Sequence, residues 1–135
     1  MAKLWEKNYT PDALLEAFTV GDDWQLDARL VAADCVASMA HATMLESISL
    51  LTRAELYGLK RGLTAIVDDA ARGAFTITVS DEDCHTAIIN RLVATLGDAG
   101  KKIHTGRSRN NQVNVALRLW IRDFLLSFTS PTSTN

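Results

Sequence analysis

Apolar positions recur at helical spacing along most of the chain. Leu26, Leu30, Ala33, Ala37, Ala40, Met44, Ile48 and Leu51 follow one another at intervals of three or four residues, which places them on one face of a helix. The spacing predicts a helix from about Asp23 to Leu51, on the order of 40 Å long at about 1.5 Å per residue. A helix of that length suits a helical array. Ahead of it, Thr10, Pro11 and Asp12 form an N-terminal helix signal: a cap, a proline at the first position and an early acid. A short helix through Leu14, Leu15 and Phe18 follows, with Gly21 as its breaker.

Thr52 and Glu55 then fit a capping box, flanked by Leu51 and Leu56 as a hydrophobic staple. The next helix continues through Leu59, Leu63, Ile66 and Val67, and Gly73 ends it. Gly58 and Gly62 lie inside it, one turn apart. Two readings stand for them: glycines merely tolerated, which is the plainer expectation, or a place where another backbone comes close. "FTITV", residues 75–79, is β-prone and alternating. Without a partner strand it is expected to be extended, or one edge of a small hairpin. Ser80 is expected to cap a further helix, with Asp81, Glu82 and Asp83 in its first turn. Cys84, Ile88 and Leu92 are its buried stripe and Gly97 its close. A last helix carries Val113, Leu117, Trp120, Phe124 and Phe128. That stripe is large and aromatic, and it needs partners to cover it.

The fold class expected is therefore mainly α, with at most a short β segment near 75–79. With 135 residues, 47% of them apolar and 22% charged, the chain is long enough for one domain with a core. The composition matches neither a disordered nor a membrane-spanning chain. The net charge of −2 argues against a general nucleic-acid binder, so any basic function must be local. Two cysteines, Cys35 and Cys84, indicate a reducing compartment and no disulfide framework. The start, "MAKLWEKNYTPD", lacks the apolar core of a secretory signal. A cytoplasmic location is expected.

The local basic feature is "GKKIHTGRSRNNQV", residues 100–113. Within it, "HTGRSRNN" reads as a glycine-containing loop entering a helix. Backbone N–H groups at a helix start are unpaired and partly positive. Two guanidiniums, two hydroxyls and an amide add to them, a set that suits a carboxylate or phosphate. A solvated basic turn capped by Ser108 fits the same residues. Asp83 and His85 come from another helix start. They either form a polar pocket wall or act as a helix cap beside a half-exposed first-turn histidine, and residue chemistry alone favours the cap. His41 fits packing or surface better than ligation. The three histidines and two cysteines show no metal-ligand spacing. No Walker or dinucleotide glycine pattern and no nucleophile elbow occurs. No metal and no cofactor are expected.

"GDAGKKIHTGRSRNNQV" closely resembles the argininosuccinate lyase signature H-T-G-R-S-R-N-D-Q. "KLWEK", "LVAADCVASMAHATMLESISLLTRAEL" and "SDEDCHTAI" resemble the same family in the same order, so the likeness covers about residues 3–126. It places the chain in the fumarase/aspartase superfamily and implies an N-terminal helical domain plus the start of the first long central-bundle helix. The implied division is 1–102 for the helical domain, 103–128 for the substrate-binding loop and bundle helix, and 129–135 for a disordered tail. Family members are homotetramers whose active sites are corners shared by three subunits. Their reaction is the reversible elimination of argininosuccinate to arginine and fumarate, a carbon–nitrogen lyase step of arginine biosynthesis. By resemblance Ser108, Arg109 and Asn110 bind the substrate carboxylates, Thr105 and Arg107 shape the loop, and Asp83 and His85 line the pocket from another side.

The chain departs from the family pattern in four respects. Asn111 stands where the family usually has aspartate, Ile89 where it has glutamate, and Asp23 where many members have a serine. The family's chains are also much longer: the loop carrying the serine base and the segment carrying a second catalytic histidine find no counterpart in this sequence. "TSPTSTN" ends the bundle helix, with Pro131 as a breaker. These features lead to the expectation of a truncated, frameshifted or engineered fragment that is inactive alone. Two further readings stand beside it: a non-catalytic helical interaction module, associating through the aromatic stripe, and another lyase of the superfamily.

Overall fold

A computed structural model of the chain describes residues 26–129, the Val79 side chain excepted. The helix expected near Leu14, the positions Gly21 and Asp23, and the tail at 130–135 lie outside the described residues. Five α-helices are present within them: α1 (Val31–Ser47), α2 (Arg53–Ala71), α3 (Cys84–Leu96), α4 (Asp98–Lys102) and α5 (Arg109–Thr129), with 3₁₀ turns at Ala28–Leu30 and Val79–Asp81. The architecture is helical, in agreement with the expected fold class. No strand occurs among the described residues.

Helix α1 ends sooner than its apolar pattern predicts. Ser49 adopts φ 63°, and the N–H groups of Leu50 and Leu51 both turn back to the Leu45 carbonyl. That reversal carries Leu51 into the core and delivers Thr52 as the next cap. The buried face of α1 also differs from the expected one. Leu26, Met44 and Ile48 are 62%, 42% and 57% exposed, whereas Val31, Asp34, Cys35, Ser38, Ala42 and Leu45 are buried. The helix is apolar on both sides, so periodicity could not tell which stripe faces inward. A buried polar pair, Asp34 and Ser38, marks the true inner face.

Helix α2 begins as expected. Thr52 Oγ1 accepts from the Glu55 N–H at 3.2 Å, and Glu55 Oε2 accepts from the Thr52 N–H at 2.8 Å, the reciprocal capping box. It ends in a Schellman motif: Gly73, at φ 70°, donates to the Ala70 carbonyl, and Ala74 donates to Asp69. The Phe75 N–H also goes to the Asp69 carbonyl, so the start of "FTITV" is tied to a helix end rather than to a strand. Ile77 is buried in the core. The expected Ser80 cap is not the one used. Ser80 and Asp81 form a 3₁₀ turn, and Asp83 caps α3 by accepting from the Thr86 N–H at 2.8 Å.

Leu45, Leu59, Leu63, Ile66, Ile88, Leu92 and Ile103 form the centre of the core. Two glycines sit at helix contacts, Gly62 facing only side-chain ends, in keeping with the plainer expectation, and Gly100 facing a backbone. A Cβ on Gly62 would lie 2.8 Å from Leu92 Cδ2, and one on Gly100 would lie 2.6 Å from the Leu92 backbone carbon. Helix α4 therefore rests directly on the backbone of α3. This close contact sets where the chain leaves Lys102 and enters the basic loop. The first half of α5 packs on α1 through Gln112 and Ala116. Residues 121–129 are exposed; at that open half Trp120 stacks on Phe124 with centroids 5.2 Å apart, and Phe128 meets Phe124 edge to face at 4.9 Å.

Candidate functional site

The loop from Ile103 to Ser108 is anchored by one buried apolar residue, Ile103. Its turn needs Gly106 at φ 72°, a conformation open to glycine at little cost. Otherwise polar ties hold the loop. His41 Nε2 hydrogen-bonds to the Thr105 carbonyl at 2.8 Å, and Arg107 Nη2 donates to Ser38 Oγ at 3.1 Å. Ser108 caps α5: its Oγ accepts from the Asn111 N–H at 3.3 Å and donates to Asn111 Oδ1 at 3.1 Å. The first intrahelical bond from this end runs from the Gln112 N–H to the Ser108 carbonyl. The N–H groups of Arg109 and Asn110 thus lie in the first turn, where a helix offers donors to an anion.

Asn111, the departure from the family aspartate, makes no arginine contact. Its side-chain carbonyl completes the Ser108 cap, a role an aspartate oxygen fills equally well. Ile89 is half-buried against the core, where an apolar side chain suits its surroundings.

The cations of the stretch have internal partners. Lys101 pairs with Asp98 at 2.9 Å and Lys102 with Glu55 at 2.6 Å. Arg109 Nη1 donates to both oxygens of Asp83, and Nη2 donates to Thr86 Oγ1 at 3.0 Å. Asp83 and Arg109 therefore meet, as one cluster joining the starts of α3 and α5. Ser108, Asn110 and Thr105 face solvent around it. Arg107 is half-buried, and burial lowers its pKa, partly offset by the nearby Asp34. Burial also lowers His41 and His104, and Arg107 pushes both further down.

His85 is neither half-exposed nor at the surface: it is 2% exposed. Its Nδ1 hydrogen-bonds to Asp34 Oδ2 at 2.9 Å. Gln112 Nε2 donates to both Asp34 oxygens, at 2.9 and 3.1 Å, and Ser38 Oγ makes a longer contact with Asp34 Oδ1 at 3.5 Å. Asp34, Ser38, Thr86 and Gln112 were not singled out from sequence. The available signal was an aspartate and a serine four apart in an alanine-rich helix, a polar pair on one face. Asp34, Cys84 and His85 also lie close enough together to hold an ion; here His85 Nδ1 hydrogen-bonds to Asp34 Oδ2, and burial raises the Cys84 thiol pKa. Beside the loop, a cleft of about 210 Å³ is lined by Ala37, His41, Arg107, Asn111, Gln112 and others.

The geometry thus gathers a helix N-terminus, a hydroxyl, an amide and a held guanidinium at one corner, a set suited to a carboxylate. No helix among the described residues is long and apolar enough to cross a membrane. Residues 6–130 match the family described as Lyase. The chain is 50% identical over 123 residues to an argininosuccinate lyase of Thermotoga neapolitana, covering 91% of this chain and 31% of the relative. It is 49% identical over 123 residues to those of Xanthomonas campestris pv. campestris and Sorangium cellulosum, covering 28% and 29% of these relatives. The chain spans about 30% of the length of the curated relatives it matches. On its sequence match and its helical architecture, the chain belongs to the lyase family.

Proposed function

We propose that this chain supplies one carboxylate-binding wall of a carbon–nitrogen lyase site acting on argininosuccinate, with fumarate as the anionic product. The observation that carries this is the α5 N-terminus: first-turn N–H donors, Ser108 and Asn110 exposed beside them, and Arg109 fixed by Asp83 and Thr86. In such an elimination a proton leaves the carbon next to a carboxylate, and charge grows on that carboxylate. Donors preset at that position lower the barrier. Thr105 and Arg107 shape the loop. Asp83 orients Arg109, and His85 backs the site from the buried side rather than touching the anion. No residue of the chain is assigned the base.

The names of the relatives and the motif support this substrate over that of another superfamily lyase. The exposed aromatic half of α5 supports association with further copies, a homo-oligomer of the family's tetrameric kind; a cytoplasmic setting rests on the likeness to the lyase family alone. Fumarate titration followed at the Ser108 and Asn110 amides tests the reading: saturable shifts centred there are expected, and shifts spread evenly over surface amides contradict it.

A further inference from the structure

The loop that carries Ser108 and leads into Asn110 has almost no apolar anchorage, Ile103 being its one buried residue. Something else must fix its place. The strongest candidate is a fully buried carboxyl group that this site does not itself expose. Asp34, in the first turn of α1, is 0% exposed and takes hydrogen bonds from two other helices: His85 Nδ1 at the start of α3 and Gln112 Nε2 in the first turns of α5. Through Ser38 it also meets the loop, because Arg107 Nη2 donates to Ser38 Oγ and Ser38 Oγ reaches Asp34 Oδ1. His85 and Gln112 lie 51 and 78 residues from Asp34 in the chain, and Arg107 lies 69 from Ser38.

We propose that Asp34 is a positioning residue: it locks the start of α3, the start of α5 and the Arg107 loop into one register, so that the Asp83–Arg109 pair and the Ser108 cap face the same corner. A carboxyl group suits the task. It offers about four acceptor sites and, when ionised, no donor, so it draws N–H and O–H groups from several elements at once. Apolar contacts between helices tolerate sliding, whereas buried hydrogen bonds are directional and costly to leave unmade. The functional consequence rests on the carboxylate-binding role proposed above, but the positioning itself does not.

The test is amide hydrogen exchange on the whole chain, for Asp34→Ala, Asp34→Asn and Ser38→Ala. Asp34→Ala strands the His85 and Gln112 donors. It is expected to speed exchange of the amides from Thr105 to Gln112 by about tenfold or more, with Leu59, Leu63 and Ile66 in α2 changing less than about twofold. Asp34→Asn keeps a carbonyl acceptor and should restore part of the protection. Ser38→Ala leaves the His85 and Gln112 bonds in place and should loosen only the Arg107 side of the loop. If Asp34→Ala does not fold, Ser38→Ala and Asp34→Asn decide. Loop exchange unchanged in the folded variants, or rising in step with α2, overturns the proposal. A parallel fumarate titration separates the two claims. Wild-type shifts that weaken in Asp34→Ala or Ser38→Ala link positioning to binding. Wild type without shifts removes the carboxylate role, and the exchange pattern still decides positioning.

Discussion

Replacing Gly100 by alanine puts one methyl group where the structure has no room. The new Cβ would lie 2.6 Å from the Leu92 carbon, 2.6 Å from the Val93 nitrogen and 2.7 Å from the Leu92 oxygen. Ordinary contact is about 3.5–4.0 Å, so helix α4 must move away by roughly 1 Å. All three neighbours are backbone atoms of α3 and cannot rotate aside. Overpacking of this kind costs about 1–3 kcal/mol, and the helix preference of alanine returns at most about 1 kcal/mol. A net loss of roughly 2 kcal/mol lowers the melting temperature by about 8 °C for a chain of this size. Gly62→Ala is the control. Its nearest obstacle, at 2.8 Å, is Leu92 Cδ2, the end of a rotatable side chain, and it sits inside a long helix. Its stability should stay within about 1 kcal/mol of wild type. Circular-dichroism melts of both variants decide. A Gly100→Ala protein that melts with wild type, or a Gly62→Ala protein that falls equally far, refutes the packing of α4 on the α3 backbone.

Two further outcomes follow from the ends of α2 and the loop beside it. Thr52→Ala removes the acceptor for the Glu55 N–H and should cost about 1 kcal/mol in urea denaturation. Stability should also fall in two stages on acidification. His41 and His104 have pKa values lowered from 6.5 in the folded chain, mainly by burial, so the unfolded chain takes up protons that the native one refuses, and stability drops as the pH falls below 6.5. Glu55 is lowered from 4.5 to about 2, first by its bond from Lys102 and then by Thr52. Its contribution is present above pH 4.5 and is lost as the pH falls toward 2. Lys102→Met should weaken the second stage and leave the first. Identical pH profiles for the variant and wild type contradict the assignment to Glu55.

What the sequence revealed was mostly local. The Thr52–Glu55 box, the Gly73 turn and the close at Gly97 depend on residues within one turn of each other, and each forms as its pattern predicts. The basic loop entering α5 was legible for the same reason. The inward face of α1 was not, because both sides of that helix are apolar and burial is decided by which one meets α2, α3 and α5. On α5 the residues buried against α1, Gln112 and Ala116, lie off the aromatic stripe, while Phe128 is 72% exposed, as a stripe that needs partners to cover it implies. "FTITV" has β propensity but no strand to pair with among the described residues, so the helix-end carbonyl of Asp69 takes its first N–H, that of Phe75. The internal partners of the cations were also hidden. Arg109 finds Asp83 across 26 residues, and Gln112 finds Asp34 across 78. Such pairings are fixed by tertiary packing, which a local pattern does not carry.

The most direct measurement is the affinity of this chain for fumarate, set against its uncharged dimethyl ester, in wild type and Arg109→Gln. A single dicarboxylate wall should bind fumarate in the millimolar range, about −4 kcal/mol. Binding should weaken about tenfold in Arg109→Gln, as expected for one charge-assisted contact. The ester should not bind at the same amides. Fumarate and ester binding alike, or an Arg109→Gln variant with wild-type affinity, would contradict the assignment of the α5 N-terminus as a carboxylate site.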